Sequence, residues 1–357
     1  MAETARRAFV AALVFVGVVV FALALWKLRL LIALLFLAFV VAAAMRPGVD
    51  WLRKRRVPRA LGIAAHYLAF VGFLALLLWL AVPRALDQVG KALGGDVPTS
   101  QEELRTATSR TTGIAHAVLE RVQHWLGELP GPAGLIDPAL QWTQLGLEVA
   151  FGIFFTLAAA AYWIYERDRA IALVATILPT KRQRLVIDTW QLIDLKLGAY
   201  VRGQLLLIVF VGTVLSIAFW AIGLPYWLLL GVYAGVVEII PVVGPLIAGA
   251  AAVGVGLTVS WQHALGAALI VLVVRQLEDY VVIPRVLGHA VGLSPLFVLV
   301  SVAATAILFG EATILLAIPL AAVIATLFDV LVLNRDPGEQ EVPTVLFQST
   351  ERDAISG

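Results

Sequence analysis

The sequence has no cysteine in its 357 residues and only two methionines. That excludes a disulfide framework, thiol chemistry and cysteine-ligated metal. Charge is scarce too: Asp, Glu, Lys and Arg make up 14% of the chain and sum to +2, a balance too small to draw nucleic acid. Also missing are His-Glu-x-x-His, Gly-x-x-x-x-Gly-Lys-Ser/Thr and Gly-x-Ser-x-Gly, the marks of a zinc protease, a phosphate-binding loop and a nucleophile elbow. His66, His116, His124, His263 and His289 are scattered and form no metal-ligand spacing. An enzyme is not expected, nor a cofactor.

What is abundant is apolar surface. Hydrophobic residues make up 61% of the chain and mean hydropathy is +0.94, far above what a soluble core needs. Runs without formal charge cover 8–26, 60–83, 149–165, 203–237, 239–274, 286–310 and 312–328, and several reach the roughly 20 residues that span a bilayer as helix. The runs are apolar throughout rather than alternating, which selects helices over barrel strands. The first run, at 19 residues, outlasts a signal-peptide core of roughly 7–15 and reads as a retained helix. The expected fold is an all-α integral membrane protein of about eight membrane helices, bathed in lipid, with two interrupted or re-entrant hairpins forming an inverted repeat in the C-terminal third.

Lys and Arg counts in the short loops orient the chain. Residues 1–82 hold three membrane helices with a basic loop, "RPGVDWLRKRRVPR", at 46–59. That loop marks the cytoplasm. Residues 83–144 form a polar segment, read as a small helical extracytoplasmic domain with Thr99 or Ser100 as N-cap. Residues 145–165 cross back, ending in Tyr162, Trp163 and Tyr165, an interfacial aromatic group. Residues 166–202 make an amphipathic cytoplasmic stretch in which Val186, Trp190, Ile193 and Leu197 form an apolar stripe while Arg184, Asp188, Asp194 and Lys196 fall away from it. Residues 203–333 form a C-terminal core of two helix-plus-hairpin units, and the polar tail 334–357 is expected to be disordered. Both termini are placed in the cytoplasm.

Within the core, residues 203–222 lead into "GLPYWLLLGVYAGVVEIIPVVGPLIAG", and residues 264–283 into "GLSPLFVLVSVAATAILFGEATILLAIPL". Each unit is one helix, then a Gly-Leu and Pro opening at Gly223 or Gly292, then two shorter apolar arms around a break. Each pair of arms re-emerges on the side it entered, so the single helix between the units inverts the second one. Interrupted helices in inverted repeats are where transporters place substrate and ion sites. Two ordinary hairpins, rich in Gly and Pro as membrane helices are, make the alternative.

Between Arg202 and Arg275 the one formal charge is Glu238, just before "IPVVGP". Pro241 and Pro245 cannot donate backbone hydrogen bonds and Gly244 permits a tight turn, so the helix is expected to unwind there. Freed carbonyls and an acid in hydrocarbon need a wetted or protein-lined interior; at the membrane surface Glu238 would need neither. A second polar group follows in "RQLEDYVVIPRVLGHAVGLSP", where Arg275 precedes Glu278 by three residues and Asp279 by four. This is either a self-neutralised ion pair on one helical face or, with Gln276, the lining of a pathway.

These residues carry a resemblance. "YVRGQ" at 200–204, residues 223–245, residues 275–295 and "LLAIPLAAVIA" at 315–325 resemble, in order and spacing, the motifs of the autoinducer-2 exporter family of bacterial multipass permeases. The resemblance implies an oligomeric inner-membrane permease that exports the quorum-sensing signal autoinducer-2 or exchanges cations such as Na⁺ for H⁺. It points to Glu238, Pro241, Gly244, Pro245, Gln276, Glu278, Pro284, Gly288, Gly292 and Pro295. Asp279 stands where the family often has Asn, Ser294 where His is common, and Glu311 in a break usually apolar or Gly-rich. The added acids bear on ion preference. The functional expectation is a secondary transporter of a small polar solute or ion, working as a homo-oligomer through Glu238 and the Gln276–Asp279 face, with Arg275 and Glu311 nearby. The alternatives are a non-transporting scaffold or sensor, and a channel.

Overall fold

The computed structural model describes residues 2–92, 136–240, 243–286, 295–340 and 342, and every regular element among them is helical. In chain order these are α1 (Ala2–Lys27), α2 (Arg29–Lys54), α3 (Arg59–Ala92), α4 (Ile136–Thr176), α5 (Thr180–Ala221), α6 (Trp227–Val237), α7 (Val243–Val259) and α8 (Trp261–Leu277). A π-helical turn at Glu278–Val282 then leads into α9 (Ile283–Val286), followed by α10 (Pro295–Phe309), a 3₁₀ segment at Glu311–Leu316 and α11 (Ala317–Leu331).

Among the described residues five helices are long and apolar enough to cross a membrane: Phe9–Lys27, Arg29–Lys54, Gly146–Thr176, Arg182–Ala221 and Thr313–Leu331. The outward faces of these helices, and of α3 and α10, are apolar. Phe9, Phe15, Phe21, Leu68, Trp79, Phe151, Phe154 and Ile307 all stand exposed, a surface that suits hydrocarbon and not water.

Three boundaries differ from the sequence reading. Helix α2 continues through Pro47 to Lys54, so most of the basic 46–59 segment is helix and not loop. A proline there strips the helix of the N–H that would reach the Ala43 carbonyl; Arg202 donates to the next carbonyl, that of Ala44, at 3.2 Å. Helix α3 likewise runs through Pro83 to Ala92 and α4 begins at Ile136. The middle of the expected extracytoplasmic domain, 93–135, with Thr99 and Ser100, lies outside the described residues. Of the tail expected to be disordered, Asn334–Gln340 instead folds back with Pro337 buried at the start of a short 3₁₀ turn, and 343–357 lies outside the described residues.

Apolar burial alone cannot hold helices together in lipid, because hydrocarbon solvates them equally well; close backbone approach does. The most extensive helix contact, between α5 and α6, follows that rule. A Cβ on Gly235 would stand 2.6 Å from the Ile208 carbonyl and 2.9 Å from the Gly212 Cα, so only glycine permits this crossing. Above it Val211, Leu215, Phe219, Leu224, Leu230 and Ala234 join Ala248, Ala252, Ala267 and Val274 in one core shared by α5 to α8. A second core joins α2, α3 and α4, and a third joins α2, α5 and α11. Trp163, read from sequence as an interfacial anchor, is turned inward: it stacks on Trp190 at 5.7 Å and meets Phe39 edge-on. Tyr162 and Tyr165 remain exposed.

Candidate ion and solute site at the helix breaks

Helix α6 does not end by simple fraying. Glu238 N–H still donates to Ala234 O, but Ile239 and Ile240 donate to Val236 O and Val237 O, tightening the last turn to 3₁₀ geometry. Gly244 N–H then donates to Ile240 O at 2.8 Å across the break. A side chain on Gly244 would collide with the Val237 carbonyl, so glycine is what lets α7 begin against the end of α6. Pro245 stands in the first turn of α7, where a missing N–H costs nothing. Pro241 lies outside the described residues.

The Glu238 carbonyl, left by the ending helix, is taken by α5: Gln204 Nε2 donates to it at 2.9 Å, both groups being buried. Gln204 closes the "YVRGQ" segment. Its role was not legible in the sequence, where it looked like one more polar residue at the edge of an apolar run.

The Glu238 side chain faces α8. Arg275 NH1 lies 3.4 Å from Glu238 Oε1 and 3.2 Å from Glu278 Oε2, and its NH2 lies 3.1 Å from Asp279 Oδ1. Glu238 is 5% exposed and Glu278 3%, while Asp279 stands at the exposed edge. One cation thus holds three acids drawn from two separate stretches of chain. If all ionise, three negatives against one positive leave an excess of two. Among the described residues no cluster of three or more His, Cys, Asp or Glu has metal-site geometry; the acids converge on the guanidinium.

Glu278 and Asp279 sit in the π-helical turn at Glu278–Val282. A single π turn inside a helix shifts the following side chains round the axis and often accompanies a functional site. No residue pattern signals it in advance. The other expected residues are dispersed: Gln276 and Pro284 are exposed, Gly288 and Gly292 lie outside the described residues, Pro295 starts α10, and Glu311 opens the 3₁₀ segment. That second break turns at Gly310, whose φ is 100°, a left-handed region that glycine occupies at no steric cost. Thr313 Oγ1 donates to Gly310 O at 2.6 Å and closes the turn.

Away from the site, an apolar groove of about 550 Å³ runs between α3, α5 and α6, lined by Phe73, Leu76, Ile208, Trp227, Val232 and Val236 among others; none of the acids enters its wall. A further polar cluster contradicts the amphipathic reading of 166–202. Asp194, expected on the polar face of its helix, is 5% exposed. It takes the buried Arg167 Nε as a donor and lies 3.4 Å from Arg46 NH1. Lys196 is buried as well. Helix α5 packs on α2, α4 and α11, so what reads as one stripe has two buried faces.

Residues 13–333 match the family described as AI-2E family transporter. The chain belongs to the AI-2E transporter family. Relatives include the Bacillus subtilis proteins named "Putative transport protein YueF", 28% identical over 83% of this chain and 84% of that one, and "Putative transport protein YrrI", 25% identical over 81% and 83%. The Escherichia coli K12 protein named "Putative permease PerM" is 26% identical over 82% of this chain and 85% of its own. Membership of the AI-2E transporter family makes this a multipass membrane protein of a permease family, not of an enzyme family. Both helix breaks and the whole Arg275 cluster fall inside the matched span, whereas Asn334–Gln340 lies beyond it.

Proposed function

We propose that this chain is a secondary transporter of the bacterial inner membrane that exchanges a cation for protons, or exports a small polar solute, through a pathway whose core is the Glu238–Arg275–Glu278–Asp279 cluster. The observation that carries the reading is one guanidinium shared by three carboxylates, two of them buried, at the point where α6 ends and α8 passes into a π turn. A permanent structural pair needs one acid. The surplus acids give the site a place for a proton or a transported cation, and buried ionisable groups within a span are expensive enough to mark function.

Two helix–break–helix units, α6–α7 and α10–α11, each follow a single helix, as an inverted repeat would have them, and their rearrangement around the cluster is the expected transport step. We take the basic residues at the start of α1 and near the C-terminal ends of α2 and α4 to mark the cytoplasmic side, with both termini there. The working unit is taken to be a homo-oligomer.

The test is flux into proteoliposomes holding the purified chain and a pH-sensitive dye, under imposed Na⁺, K⁺, Li⁺ and H⁺ gradients, with autoinducer-2 uptake measured in parallel. Cation-driven proton movement that disappears in Glu238→Gln and Glu278→Gln supports exchange. Solute movement lost in the same variants supports export. No flux of any kind, or flux indifferent to both substitutions, returns the chain to the scaffold reading, and turnover too fast for alternating access marks a channel.

A further inference from the structure

Beyond α11 the chain leaves the matched family span and returns to the bundle. Arg335 N–H donates to Asp329 O at 3.0 Å and its guanidinium pairs with Asp329 Oδ1 at 3.1 Å, so the turn after α11 is pinned on itself. Asp336 Oδ1 accepts from Gly338 N–H at 2.8 Å, which shapes the short 3₁₀ turn. Pro337 is buried against α5. At the far end Gln340 Oε1 accepts from Lys196 Nζ at 2.7 Å, and the same ammonium reaches Thr326 Oγ1 of α11 at 3.2 Å.

Lys196 is therefore the catch: one buried cation, 9% exposed, ties α5, α11 and the returning segment together. Beneath the segment lies a polar cavity of about 680 Å³, lined by Arg184, Leu185 and Asp188 of α5 and by 334–339. Asp188 pairs there with Arg184, 3.8 Å away on the same helix, and Asp336 stands on the segment's side of the same groove. A short segment held by a few hydrogen bonds and one buried proline beside an open polar groove belongs to the low-stability end of a structure and opens locally.

Its seat is also well placed to be felt elsewhere. Lys196 and Gln204 lie on the same uninterrupted helix, eight residues apart or about 12 Å, and Gln204 holds the Glu238 carbonyl. We propose that Asn334–Gln340 is a releasable strap, caught by Lys196, which when seated fixes α5 to α11 and restrains rearrangement at the Glu238 break. The strap is an autoinhibitory contact on the face assigned to the cytoplasm.

The experiment uses the full chain. Hydrogen exchange is followed at two places, the amides of 335–340 and those of 238–240, in wild type, Lys196→Met and Gln340→Leu. Loss of a hydrogen bond to a charged group should raise exchange at 335–340 on the order of tenfold, and exchange at 238–240 should rise with it. Gln340→Leu leaves Lys196 its Thr326 partner, so it guards against simple misfolding of the Lys196 variant.

The absence of native cysteine allows the converse: Arg184→Cys with Gly338→Cys, bridged by a bifunctional thiol reagent that a reductant cleaves, should slow flux and lower exchange at 238–240, both reversibly. Unchanged exchange at 335–340 in both variants overturns the catch. Raised exchange there without any change at 238–240, or a bridged strap that slows neither exchange nor flux, overturns the restraint. If wild type shows no flux at all, the transport reading fails by itself, and the exchange comparison still decides the strap.

Discussion

Gln204 on α5 donates its side-chain amide to the backbone carbonyl of Glu238 at 2.9 Å, so the end of one helix is satisfied by the side chain of another. A carbonyl stranded in a nonaqueous interior costs about 1–3 kcal/mol. Gln204→Leu keeps the volume and removes the donor. It should lower stability by about that amount in a detergent melt and raise amide exchange at Ile239 and Ile240. Gln204→Glu, which presents oxygens to an oxygen, should do no better. A melt unchanged in both would mean that another group takes the carbonyl.

Arg275 sits among more acids than it can neutralise, and that sets the ranking of substitutions. Arg275→Met leaves Glu238 and Glu278 buried without their cation, a loss of about 3–5 kcal/mol. Glu278→Gln removes an acid from a surplus and should cost far less. Because the two groups are in contact, their effects should not add: the double variant Arg275→Met with Glu278→Gln should recover part of the stability lost by Arg275→Met alone. A strictly additive double variant would show that the pair is not coupled.

Glycine supplies a third contrast. Gly244→Ala drives a methyl group into the Val237 carbonyl and should disrupt the start of α7, visible as a lower melting temperature and weaker protection of the Gly244 amide. Gly254, in the same helix, has nothing within 4 Å of its Cβ position. Gly254→Ala should be neutral or stabilising by about 0.5–1 kcal/mol, the helix-propensity gain. Equal losses from both substitutions would remove the special role of the break.

The apolar runs announced a helical membrane bundle because a span of about 20 residues without charge has few other uses. "EIIPVVGP" announced a break because two prolines and a glycine leave the backbone no regular alternative, and the i, i+3 and i, i+4 offsets of Glu278 and Asp279 from Arg275 made their pairing one of two readings, beside the lining of a pathway. The approach of Glu238 to Arg275 was hidden, since it depends on how α6 meets α8, thirty-seven residues apart. The π turn was hidden as well, because no local residue type encodes one extra residue per turn. Gln276 misled for the opposite reason: one residue from Arg275 is about 100° round the helix, which carried it to the exposed side.

Asp194 supplies the last expectation and the largest departure from the sequence pattern. A periodic stripe assigns it to the polar face, yet it is buried with Arg167 and beside Arg46, joining α2, α4 and α5. Asp194→Asn keeps the shape and strips the charge, leaving the Arg167 guanidinium buried beside a neutral amide. The loss should be about 3–5 kcal/mol, enough to lower the yield of folded protein. Asp168, whose side chain is far more exposed and pairs with the same Arg167 at 3.0 Å, should tolerate Asp168→Asn with a change of about 0–1 kcal/mol. Asp194 is no part of the Arg275 ion-pair cluster, so protein of Asp194→Asn that does fold should keep the wild-type pH midpoint of flux, while its rate, which α5 also sets through Lys196 and Gln204, is free to change. A shifted pH response in the folded fraction would instead assign Asp194 to the pathway.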